Sequence, residues 1–117
     1  MKRTGFQHIW IALFGINLYW VRCSRSKYAE LVAEEFSAKV PDKEDSVAAC
    51  FDVYMKHEFP IGVIWLSKEA ELSSAAHECV HAAHWICEKK GIWLTDSSEE
   101  IYAYLVEYLL SSIEGLI

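Results

Sequence analysis

Two pairs of β-forming runs, each broken by a short turn, alternate with three helical segments along 117 residues, and that alternation admits few folds. Residues 8–14 and 18–23 flank Gly15, Ile16 and Asn17 as two strands flank a glycine-containing hairpin turn. Ser24 and Ser26 offer N-cap oxygens to a following helix, whose Tyr28, Leu31, Val32 and Phe36 recur at three- and four-residue steps and whose end is expected near Val40 and Pro41. Residues 41–45 read as a solvated loop. A second strand pair, 47–56 and 61–66, surrounds a connection of hairpin length at 57–60. The remaining sequence predicts a helix over 71–90, with Ser73 or Ser74 near its start and Gly91 as terminator, and a last helix over 98–112. Asp96, Ser97 or Ser98 would cap that last helix, with Glu99 and Glu100 at the positive end of its dipole. The order β-β-α-β-β-α-α predicts one α+β domain, residues 1–117, with a small antiparallel or mixed sheet packed against helices.

Composition narrows the function classes. A chain of this length that is 53% hydrophobic buries about two-thirds of its unfolded surface, enough for a core without staples. A formal charge of −6 argues against nucleic acid or an anionic membrane as partner, because both require a cationic face. There is no run of 18 apolar residues, so no membrane-spanning helix is expected. Cys23, Cys50, Cys79 and Cys87 form no C-x-x-C pair and read as reduced thiols of a cytoplasmic protein. Met1, Lys2 and Arg3 before an apolar stretch superficially copy a signal peptide. Gln7, His8 and Asn17 interrupt that stretch and no small-residue cleavage site follows, so the strand reading is preferred.

The chemistry concentrates in Ala76-His77-Glu78-Cys79-Val80-His81. Residues four apart on a helix lie about 40° apart around its axis and about 6 Å along it, so His77 and His81 can offer two imidazoles to one tetrahedral Zn²⁺. Glu78, about 100° round from His77, can take a proton from a water held there, which is the mechanics of H-E-x-x-H. Ala75, Ala76, Ala82 and Ala83 allow such a helix to pack closely on a sheet. A third ligand is needed, and the first turn of the last helix brings Glu99 and Glu100.

These residues resemble the gluzincin type of zinc metallopeptidase, and more closely small phage-encoded proteins with a strand, H-E-x-x-H and E-x-x-A-Y-L in succession. Val63 to Leu66, His77 to His81 and Glu100 to Leu105 stand in those places, over roughly the last half of the chain. The resemblance implies a zincin-like fold, His77, His81 and Glu100 as metal ligands, and Glu78 as general base. It also implies that the strand at 63–66 is an edge adding an extended peptide to the sheet, against the plain alternative of a buried strand. The aspartate that larger gluzincins place four residues after the ligand glutamate is Tyr104 here.

Several neighbours compete for roles. His84 lies about 20° round from His77 but about 7 Å along the axis from a metal held by His77 and His81; ligation, a substrate-facing role and plain packing all remain open. Glu99 is the rival of Glu100. Tyr104, one turn past Glu100, is a candidate catalytic hydroxyl for steadying an oxyanion or a ligand. His8 and His57 are read as structural or solvated. Two function classes follow: a zinc peptidase acting on a peptide or protein, and a protein-binding inhibitor module on a metallopeptidase-like scaffold, directed at a host protein if the chain is phage-encoded.

Overall fold

The computed structural model describes residues 5–12, 14–42 and 47–113, leaving the basic start of the chain and Lys43, Glu44 and Asp45 of the expected loop outside the described residues. The elements are β1 (Gln7–Ile11), β2 (Ile16–Arg22), α1 (Arg25–Phe36), β3 (Ala49–Lys56), β4 (Phe59–Leu66), α2 (Leu72–Lys89) and α3 (Glu99–Ser112). The four strands form one mixed sheet in the order β1-β2-β4-β3. β1 with β2 and β3 with β4 are antiparallel hairpins, whereas β2 and β4 run parallel, with Leu18 opposite Gly62 and Arg22 opposite Leu66. Both sides of β4 are therefore hydrogen-bonded. The edge reading of residues 63–66 is corrected by this pairing: β4 is central, and the strand left at the sheet's margin beside it is β3.

Period-two alternation along β4 builds a core on each face of the sheet. Ile61, Val63 and Trp65 pack with Tyr28, Leu31, Val32 and Phe36 of α1. Ile64 and Leu66 point the other way, against Ala75, Cys79, Ala82, Ala83 and Ile86 of α2 and Leu105 and Leu109 of α3. The result is three layers, α1 below the sheet and α2 with α3 above it. Gly62 makes the close approach of α2 possible: a Cβ there would stand 2.9 Å from Leu18 Cδ1, Phe51 Cε1 and Trp85 Cζ3 at once. Gly62→Ala is expected to lower the unfolding free energy by about 1–3 kcal/mol, read from the shift in urea midpoint, because three packed side chains must give way together.

The helix ends are set by local geometry. α1 stops at Phe36, before the expected Val40, because Ser37 turns left-handed (φ 51) and returns its N–H to Ala33 at 3.0 Å. α2 ends in a Schellman arrangement, with Gly91 at φ 70, its N–H on the Glu88 carbonyl at 3.1 Å and the Ile92 N–H on Cys87 at 2.8 Å. His57 (φ 51) and Glu58 (φ 70) form the β3–β4 turn, so His57 is an exposed turn residue. His8 pairs with Asn17 across the β1–β2 hairpin. Cys23, Cys50, Cys79 and Cys87 stand as thiols outside any disulfide. Among the described residues no helix is long and apolar enough to cross a membrane.

Beneath β3 lies a buried polar cluster. Asp52 Oδ2 accepts from Tyr28 Oη at 2.8 Å, Cys50 Sγ at 3.1 Å and Tyr54 Oη at 3.4 Å, and the two tyrosine hydroxyls lie 3.0 Å apart. The cluster ties β3 to α1.

Candidate metal centre

The small buried residues Ala75, Cys79, Ala82 and Ala83 turn one side of α2 onto the sheet, which leaves His77, His81 and His84 on its exposed side. His77 Nε2 and His81 Nε2 are 3.2 Å apart, with ring centroids at 4.8 Å and planes at 75°. Two nitrogens on one tetrahedral zinc, each ~2.0–2.1 Å from it, stand about 3.3 Å apart. The separation of the donor pair is compatible with two corners of a zinc site, and it is equally that of a hydrogen bond. Without metal, one ring would donate its Nε2–H to the other.

Glu78 is buried, at 8% exposure. It lines a cleft of about 370 Å³ together with His77, Ser73 and Ser74 of α2 and Val47, Ala48 and Ala49 at the start of the marginal strand β3. One imidazole of the pair and the neighbouring carboxylate thus share a cleft bordered by a strand edge. Cys79, one residue on, is buried, and its thiol is pushed up to about 12, first by burial and then by the Glu78 charge. It stays protonated at neutral pH and serves as packing.

The last helix meets α2 elsewhere. Tyr102 Oη donates to the Ile92 carbonyl at 3.0 Å, and its ring lies 6.3 Å from that of His84. The first turn of α3 is thereby held beside the C-terminal part of α2. His84 and His77 are separated by about 10 Å along the helix axis. Among the described residues no three His, Cys, Asp or Glu side chains gather into a metal-holding group, so Glu100 and Glu99, both exposed, do not join His77 and His81. Tyr104 is on another side of α3, 64% exposed, lining an apolar groove with Ile11, Phe14, Leu105 and Tyr108 and none of the α2 histidines. The structure thus brings His77 with His81 and His77 with Glu78, and leaves Glu100 and Tyr104 apart from them.

Tyr102 was absent from the sequence-based candidates, yet it shares the i, i+3, i+7 stripe with Leu105 and Leu109, the buried positions of α3. That stripe was the available signal for which aromatic faces α2. Compared with protein-family models, with curated proteins and with solved structures, the chain matches none.

Proposed function

We propose that this protein is a zinc-dependent hydrolase of peptide bonds, zincin-like in its site, with His77 and His81 as two of the three protein ligands such a site takes and Glu78 as general base; neither Glu99 nor Glu100 supplies the third in this arrangement. The observation that supports the reading is the 3.2 Å separation of the two Nε2 atoms, close to the spacing of two nitrogens on one tetrahedral zinc. Zinc, when bound, supplies Lewis acidity toward a carbonyl oxygen and lowers the pKa of water. Glu78 would be the group to hold a proton taken from the attacking water and to return it to the leaving amine. The start of β3 offers an extended peptide a strand to lie against, in the cleft that His77 and Glu78 line. Glu100 and Tyr104 receive no role in this arrangement, because α3 packs through Tyr102. A cytoplasmic setting belongs to the same proposal.

The second reading is a protein-binding module, favoured by the exposed side chains of Trp93, Leu94 and Tyr104 in and before α3. Elemental analysis separates the two at their root. Protein purified without chelator is expected to carry stoichiometric zinc, His77→Ala to lose it, and Glu100→Gln to keep it. Wild-type protein that takes up no zinc would sink the hydrolase.

A further inference from the structure

The C-terminal ends of the parallel strands β2 and β4 open toward the N-terminus of α1, where a cleft of about 300 Å³ forms on the sheet's edge away from the hairpin turns. In sheets with parallel strands, ligands gather at this end, because first-turn N–H groups and the positive end of the helix dipole converge there. Ser24, Arg25, Trp65, Ser67, Lys68 and Glu69 line the cleft. Position alone would not make it a site. The independent observation is Ser67: the residue is 9% exposed, and its Oγ is the buried side-chain oxygen among the described residues that has no hydrogen-bond partner. A buried hydroxyl left unpaired is destabilising unless a ligand completes it.

The surroundings are built and carry positive charge. Arg22, the last residue of β2, donates to the carbonyl oxygens of Ser67 at 3.1 Å, Lys68 at 2.8 Å and Ala70 at 2.9 Å, which fixes the turn bearing Ser67 and Lys68. The Arg25 guanidinium lies 5.8 Å over the Trp65 ring, and Trp65 is itself held by its Nε1–H on the Cys23 carbonyl at 3.0 Å. The first turn of α1 has no acidic side chain, so Glu69 is opposed by Arg25, Lys68 and the helix end.

We propose that this cleft binds a phosphoryl group, as free phosphate or as a small phosphate monoester, with Ser67 Oγ and the Lys68 ammonium as donors beside the N-terminus of α1 and Arg25 as counter-charge. Arg25, Lys68 and the helix N-terminus outweigh the Glu69 carboxylate and leave the cleft net positive toward an anion, and the separate donors suit a phosphoryl group's several oxygens better than a carboxylate's two. The cleft shares Val47 and Ala48 with the one that His77 and Glu78 line, but none of the proposed phosphate donors lines that second cleft, so the test is read without zinc.

The test is an amide-resolved NMR titration of the full chain with inorganic phosphate and, separately, with glycerol phosphate, at ionic strength held constant with sodium chloride. Saturable shifts are expected at Ser24 to Ser26 and at Ser67 and Lys68. Tighter binding of one probe identifies which source the cleft prefers. Ser67→Ala and Lys68→Gln should each weaken binding about tenfold. Ser67→Ala should at the same time unfold at higher denaturant than wild type without phosphate, since it removes an unpaired buried hydroxyl. Absence of saturable shifts at these amides, or unchanged affinity in both folded variants, would overturn the proposal.

Discussion

Glu78→Gln, loaded with zinc, is expected to retain the metal and to lose hydrolysis of an unfolded protein substrate by at least about 10²-fold, the usual contribution of a positioned general base. The amide is nearly isosteric with the carboxylate and leaves His77 and His81 untouched, so zinc content and thermal stability serve as internal controls. Glu78 is buried and shares its cleft with His77 and with Val47, Ala48 and Ala49, the last being the first residue of β3. Equal cleavage by the variant and wild type would remove Glu78 from the chemistry. Loss of zinc along with activity would mean that the carboxylate holds the site together instead. The two outcomes differ in metal content, measured on the same samples.

The largest effect on stability is expected from Asp52→Ala, about 3 kcal/mol by urea denaturation, because three buried donors converge on one carboxylate oxygen. Asp52→Asn, which keeps an acceptor oxygen, should recover much of the loss. A pH signature accompanies it. Burial chiefly, with the neighbouring hydroxyl and the Asp52 charge, raises the Tyr28 pKa above its ordinary 10.0; Tyr54 is also raised, by burial first. The folded chain therefore keeps phenolic protons that the unfolded chain releases. That stability is fully present below pH 10.0 and falls as pH rises beyond it. Without the Asp52 charge the alkaline decline should be shallower, while the contribution of the raised thiols of Cys23, Cys79 and Cys87 stays common to both proteins. Identical alkaline slopes would place the tyrosines outside the coupling.

The features legible in the sequence were those that depend on near neighbours. The turn at Gly15, the amphipathic run of α1, the Gly91 terminator and the placement of His77 and His81 on one helical face all follow from a few adjacent residues. Sheet order does not. The parallel pairing of β2 with β4 joins residues as far apart as Leu18 and Gly62; the unbroken apolar run at 61–66 is the local sign of a strand buried on both faces, but it does not name the strands on either side. The same limit separates the two halves of the candidate site. Spacing alone predicts the imidazole pair, whereas the position of Glu100 depends on how α3 docks, and that is decided by Tyr102 reaching the Ile92 carbonyl. Ser24 and Ser26 were read as caps, and Ser24 does accept the Lys27 N–H at 3.2 Å. Ser67 carried no warning in sequence, since its interest lies only in what fails to surround it.

The Arg22 clamp has a consequence for the order of assembly. It joins the end of one strand to a turn 45 to 48 residues later, so the N-terminal root of α2 is fastened only after the distant β2–β4 pairing has closed. Closing such long loops is the slow part of folding. The histidine pair belongs to a single helical turn and needs no such closure. The cleft around Glu78 borrows its other wall from β3, some 29 residues upstream, and does need it. The imidazole pair and the cleft beside it therefore mature on different timescales, the first with the helix and the second with the completed sheet.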